Sequence, residues 1–161
     1  MDKIWAPWRS KYIYLRKKTG CIFCGAKKVR DSKKRYIVER TKHSFSMLNL
    51  FPYNNGHVMV SPYRHVKSME DLSRAELTDL FELDNATTAR LAKEFKPHGF
   101  NIGINIGRVA GAGFDGHVHV HIVPRWSGDS NFMPVVANTK VVSDSLDSVY
   151  NRLKKRGRKR N

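Results

Sequence analysis

Gly116-His117-Val118-His119-Val120-His121-Ile122-Val123-Pro124-Arg125-Trp126 is the stretch that decides how this chain is read. Polar and β-branched residues alternate with a period of two, the pattern of a half-buried β-strand. On such a strand His117, His119 and His121 share one face, about 6.7 Å from one to the next. Val118, Val120 and Ile122 point the other way, into a core. Three imidazoles in a row pack poorly, so the row reads as chemistry rather than as a polar strand face. Imidazole, with an ordinary pKa of about 6.5, is largely neutral at pH 7 and then serves as nucleophile, general base or metal ligand. A His-x-His pair on a strand also chelates, so a metal cluster is the rival reading.

Immediately upstream, Gly107-Arg108-Val109-Ala110-Gly111-Ala112-Gly113-Phe114-Asp115-Gly116 is a loop of small residues. Such loops let backbone N–H groups converge on an anion, and three histidines follow directly. Before it, Asn101 to Ile106 reads as a strand. Residues 68–96 read as one long helix with a capping box at Ser73 and Glu76. Leu77, Leu80, Phe81, Thr88, Leu91, Ala92 and Phe95 mark its apolar face, and Pro97-His98-Gly99 ends it. Tyr36 to Glu39, His43 to Leu50 and His57 to Val60 read as three further strands. The turn cluster Pro52 to Gly56 makes the last two a hairpin. Beyond Trp126, Gly128 to Phe132 reads as a rim of the site, Pro134 to Val136 leads to a late strand, and Ser145 to Leu153 reads as a short helix. Residues 26–35 read as a solvated, charged connector.

Cys21-Ile22-Phe23-Cys24 has three readings. A redox dithiol needs a thioredoxin-like βαβ context, which the flanks lack. Half of a zinc site needs two more ligands, and incidental thiols need nothing.

The triad and its flanks resemble the histidine triad family of nucleotide hydrolases and transferases, over about residues 5–142. The resemblance leans to the diadenosine tetraphosphate phosphorylase-like branch. It is carried by His117-Val118-His119-Val120-His121-Ile122-Val123-Pro124-Arg125, Trp5-Ala6-Pro7-Trp8-Arg9, Gly99 to Asn105, Val109 to Gly113 and Pro124 to Phe132. The better-known triad hydrolases carry Gln and Ser or Thr where this loop has Ala112, Gly113 and Phe114. The resemblance implies an α+β histidine triad fold, an antiparallel sheet with one principal helix, and a homodimer. It implies nucleotidyl transfer in which His119 attacks an α-phosphorus, with His121, His117 and His57 as the supporting histidines. Asn49 would meet the ribose; Asn105, Gly111 and Gly113 would border the nucleotide; Arg108 or Arg125 would reach the distal phosphates. It also implies a structural zinc held by Cys21, Cys24, His65 and His117. The substrate class is a diadenosine polyphosphate, with inorganic phosphate or water as acceptor. Hydrolysis of nucleoside phosphoramidates, removal of adenylyl groups from nucleic acid and non-enzymatic nucleotide binding are the other readings.

At 161 residues the chain suits one core without disulfide staples. We expect an N-terminal segment at 1–35 packing on the core, a triad domain at 36–142, and a short helix with a basic tail at 143–161. No run reaches the roughly 18 apolar residues of a membrane span. The N-terminus lacks a secretory apolar core, and the cysteine pair gives no disulfide framework, so a cytoplasmic location is expected. The formal charge is +16, from 30 Lys and Arg against 14 Asp and Glu. Such a field draws polyanions, nucleic acid included, through the basic tail above all.

Overall fold

The computed structural model describes residues 20–129 and 142–155. The expectations for Trp5 to Arg9, Ser130 to Phe132, the late strand at Pro134 to Val136 and the end of the basic tail lie outside them. Helix α1 is Ile22–Lys28, followed by a 3-10 turn at Ser32–Arg35. Strands β1 (Ile37–Arg40), β2 (Ser44–Leu48) and β3 (Val58–Pro62) come next, then a 3-10 turn at Met69–Asp71 and helix α2 (Arg74–Phe95). Strand β4 (Gly99–Ile104), a 3-10 turn at Arg108–Ala110, strand β5 (Val120–Arg125) and helix α3 (Leu146–Lys154) complete the order. The strands form one antiparallel sheet in the order β1-β2-β3-β5-β4. This is the expected α+β architecture with one long helix.

Alternation along the strands divides the sheet into two faces. Val38, Leu48, Val58, Val60, Val118, Val120 and Ile122 join Leu80, Leu83 and Leu91 of α2 and Val149 and Leu153 of α3 in the larger core. Ile37, Phe45, Met47 and Met59 on the other face pack with Phe23 and Ala26 of α1. The valines of the triad stretch thus enter the core as the sequence requires. The strand, however, is buried on both faces and begins only at Val120. His117 and His119 lie on the approach to it, because pairing with β3 starts at Val60 opposite Val120.

Helix α2 is shorter than its sequence pattern. Ser73 Oγ accepts the Glu76 N–H and the Glu76 carboxylate accepts the Ser73 N–H, so the capping box sets the start at Arg74. Its buried face runs through Leu80, Leu83, Asp84, Thr87 and Leu91, while Phe81 and Ala92 are exposed. Leu77, Leu80, Leu91 and Phe95 pack on the core as the spacing predicts, while Leu83 and the polar Asp84 and Thr87 escaped it. Replacing Leu80, which is fully buried, with Ala is expected to lower stability by about 2–5 kcal/mol. Urea unfolding would read this as an earlier midpoint at unchanged slope; an unmoved midpoint contradicts the packing described.

The charged side chains of 26–35, Arg35 aside, are exposed as expected of a solvated connector, but its first residues are anchored to the sheet. Ala26 is fully buried, and Arg40 donates to the carbonyls of Ala26 and Val29, fastening the end of α1 to β1.

Candidate active site

The histidines gather on the α1 side of the sheet, where β5 runs between β3 and β4. Met59 sits opposite His121 across the β3–β5 ladder. His57, the residue before β3, brings its Nε2 to 2.9 Å from His121 Nδ1. The backbone N–H of Tyr53 donates to His57 Nδ1 at 3.1 Å. A backbone N–H only donates, so His57 Nδ1 is bare and the ring proton sits on Nε2, directed at His121 Nδ1. His121 then keeps its own proton on Nε2. The Asn49 amide, 3.4 Å from His57 Nδ1, supports the same order, while its Oδ1 accepts the Phe51 N–H.

His119 is set the opposite way. Its Nδ1 lies 2.8 Å from the His117 carbonyl, which only accepts, so Nδ1 carries the proton and Nε2 presents a lone pair. The His119 and His121 ring centres are 4.7 Å apart. Phe23 of α1 lies against the rings of His119 at 4.6 Å and His117 at 5.1 Å. Burial holds all four rings uncharged at neutral pH: His57 falls to about 3, helped by the neighbouring His121 and His119, and His121 to about 4, helped by His119. His117 falls to about 4 by burial against the contrary pull of the Pro62 carbonyl, and burial also lowers His119.

His117 points its other nitrogen away from the triad. Its Nε2–H donates to the Pro62 carbonyl at 2.9 Å, leaving Nδ1 bare toward Cys21 Sγ at 3.3 Å, Cys24 Sγ at 3.7 Å and His65 Nδ1 at 3.2 Å. Cys24 Sγ is 3.2 Å from His65 Nδ1, and the four donor atoms all lie within 4.8 Å of one another. A tetrahedral metal with bonds of about 2.0–2.3 Å spaces its ligands by roughly 3.3–3.8 Å, close to the four distances just given. The carbonyl partner of His117 is the kind of outer contact that fixes a metal-ligating tautomer. Burial pushes the Cys21 thiol up to about 11, so metal binding there releases a proton. Of the triad only His117 joins this cluster, which answers the rival reading of the row as one chelate.

A family model for the HIT domain matches residues 30–128. The chain belongs to the HIT domain family. Among its relatives, an AP-4-A phosphorylase of Mycobacterium tuberculosis is 43% identical over 110 residues, which are 68% of this chain and 56% of that protein. An asymmetrical bis(5'-nucleosyl)-tetraphosphatase of Schizosaccharomyces pombe is 44% identical over 93 residues, 58% of this chain and 50% of that protein. This HIT chain therefore matches about half the length of each. A histidine triad nucleotide-binding protein of Sulfolobus tokodaii superposes with a TM-score of 0.67, over 84% of this chain and 90% of that one. At 23% identity it speaks for the fold alone.

The remaining expected site residues of this HIT domain frame the histidines loosely. Asn105 follows β4, and a Cβ on Gly111 would come within 3.9 Å of its amide nitrogen. Gly111 takes φ +87°, and its N–H donates to the Arg108 carbonyl while that of Ala112 reaches the Gly107 carbonyl. Those two groups close the loop on itself. Gly113 is exposed beside them. Arg108 pairs with Asp115 at 2.9 Å. Arg125 is bound twice by Asp129 and once by Asn101. Neither arginine is held toward the triad. Sequence reasoning missed Tyr53, whose backbone orders the His57 proton and whose ring lies 4.6 Å from His57 and 5.6 Å from His121. It also missed Phe23, although an apolar residue between two candidate ligands was a signal.

The histidine values carry a sign. Unfolded His57 and His121 titrate near 6.5, while the folded rings refuse protons until about 3 and about 4. Their contribution to stability is therefore full above pH 6.5 and is lost as pH falls from 6.5 toward 4. Urea midpoints at pH 7.5 and 4.5 should differ, with the acid value lower, and His57→Gln should narrow the gap. Equal gaps in both proteins contradict the assignment.

Proposed function

We propose that this HIT protein is a nucleotidyl transferase that splits dinucleoside polyphosphates, diadenosine tetraphosphate among them, through a nucleotide carried on His119. The observation that carries this reading is the ordered pair of tautomers: a bare Nε2 on His119 beside a protonated Nε2 on His121. In the first step the His119 lone pair forms the N–P bond at an α-phosphorus. The bond to the bridging oxygen breaks and its electron pair leaves with the polyphosphate anion, while neutral His121 keeps its Nε2 proton and donates a hydrogen bond to the α-phosphate oxygens. His57 stands behind His121, its Nε2–H donating to His121 Nδ1 and holding that ring with its own Nε2–H outward. In the second step a phosphate oxygen attacks, the N–P bond breaks, and a nucleoside diphosphate leaves. Asn49, near His57, would take the ribose, and Asn105, Gly111 and Gly113 would border the phosphates. For an anion to use the Gly111 N–H it must displace the Arg108 carbonyl.

Zinc is the metal we assign to Cys21, Cys24, His65 and His117, on the two-sulfur, two-nitrogen donor set. When bound it would clamp α1 to the triad approach; the nucleotide chemistry stays with the histidines. We also propose a homodimer formed through the β4 edge, which no described strand pairs and where Ile102 and Ile106 are 48% and 52% exposed. Light scattering giving twice the chain mass supports that, and a monomer mass refutes it. A cytoplasmic location accords with reduced thiols at both cysteines. Among the described residues no helix is long and apolar enough to cross a membrane.

The test is product analysis of diadenosine tetraphosphate with and without inorganic phosphate. ADP plus ATP formed only with phosphate establishes phosphorolysis. AMP plus ATP in both conditions establishes hydrolysis, the second reading, which the yeast relative favours. No turnover in either overturns the proposal.

A further inference from the structure

A basic cleft lies apart from the histidines, at the end of the sheet where β2 begins and β3 ends. Its volume is about 430 Å³, and Lys27, Lys42, His43, Tyr63, Arg64 and Glu76 line it. None of the triad histidines, His57 or Asn49 borders it.

Each wall is pinned. Arg40 holds the end of α1, which carries Lys27, through the Ala26 and Val29 carbonyls at 2.8 and 2.9 Å. Asp79 of α2 accepts the Thr41 hydroxyl at 2.6 Å and the His43 N–H at 3.2 Å, fixing the turn that carries Lys42. Arg64 grips Glu76 with two bonds, at 2.9 and 2.8 Å, tying the exit of β3 to the first turn of α2. The single carboxylate in the lining is thereby matched by Arg64. Lys27 and Lys42 have no acidic partner among the described residues, so the cleft keeps an excess of positive charge. Tyr63 supplies a flat face: its ring stacks on Phe45 with centroids 5.3 Å apart and borders the opening.

Unpaired cations around a backed aromatic ring are the elements that bind an unpaired nucleic-acid strand, phosphates on the lysines and a base on the ring. A surplus of 16 positive charges over the chain favours the same long anion. We propose that this cleft binds single-stranded nucleic acid, RNA or DNA, at a site separate from nucleotide cleavage. The proposal does not rest on the reaction at His119.

Fluorescence anisotropy of the full-length protein with labelled uridine oligomers of 4 and 12 nucleotides, read across a salt series, tests it. Lys27→Gln/Lys42→Gln should weaken the 12-mer about tenfold and reduce the slope of log K against log salt by about 1.4, for two lost phosphate contacts. Lys34→Gln/Lys93→Gln removes the same charge away from the lining and should change the slope by less than half as much. Tyr63→Leu should weaken binding about tenfold while Tyr63→Phe, which keeps the ring, binds as the parent does. Turnover of diadenosine tetraphosphate, if the parent shows it, should persist in both lysine pairs. Equal losses in the two pairs mean diffuse attraction and overturn the site. So does an affinity that fails to rise from the 4-mer to the 12-mer, which would leave a short polyphosphate as the ligand.

Discussion

His119→Ala is expected to lose turnover by on the order of 10⁴-fold or more, with nucleotide affinity kept within a few-fold. In the proposed mechanism the substitution removes the covalent nucleophile and with it the first step, and its partners cannot replace it; losses of that order follow when such a group is deleted. His119 is 4% exposed and lies under Phe23, so the alanine protein also carries a small void and should melt a few degrees lower. Binding is read by equilibrium titration with a non-cleavable analogue, turnover by product formation. His121→Ala should lose less, about 10²–10³-fold, because it removes one hydrogen-bond donor to the phosphate and leaves the nucleophile. Turnover of His119→Ala within tenfold of the parent would end the covalent mechanism, whereas lost binding would make the residue a substrate contact.

Loss of the proposed zinc is the second large effect expected. Structural zinc sites contribute folding energy directly, with apparent values of about 10–16 kcal/mol in small fingers that have no other core. This chain has a core of its own on the opposite face of the sheet, so only part of that is at stake. Cys24→Ser, or a strong chelator, should take zinc from one per chain to none and lower the melting temperature by about 10 °C. The change should be local: α1 loses its anchor to His65 and His117, Phe23 withdraws from His119, and solvent reaches the nucleophile. Cleavage should fall together with metal content and return on adding zinc to chelated protein. Metal analysis finding no zinc in freshly purified, active protein would contradict the site.

Much of this was readable from the chain. The alternation through Val118, Val120 and Ile122 placed those residues in the core, and Ser73 with Glu76 marked where the long helix starts. The three strands and the turn around Gly56 were legible because apolar alternation and turn chemistry are local. Helix α1 was not. Seven residues are too few for a helical period to show, and Gly25 argues against helix. What holds it is remote: Arg40 on its carbonyls, Arg35 on the Ile22 carbonyl, and Phe23 and Ala26 in the second core. A Cβ on Gly25 would come within 2.7 Å of the Arg35 guanidinium and would push it from its place on the Ile22 carbonyl. The proton order was equally invisible, because it is written by main-chain groups. The Tyr53 N–H and the carbonyls of His117 and Pro62 choose the tautomers, and a sequence does not say where its amides will point.

That last feature bears on how such a protein can diverge. The Tyr53 amide that directs the His57 proton is common to every residue except proline, and the carbonyl that directs His119 is common to every residue. The side chain at position 53, whose ring lies beside His57 and His121, can therefore be exchanged without rewriting the proton arrangement behind it. What borders the histidines is thus spelled in replaceable letters and their proton order in the grammar of the backbone, so the first can vary one mutation at a time while the second stays fixed.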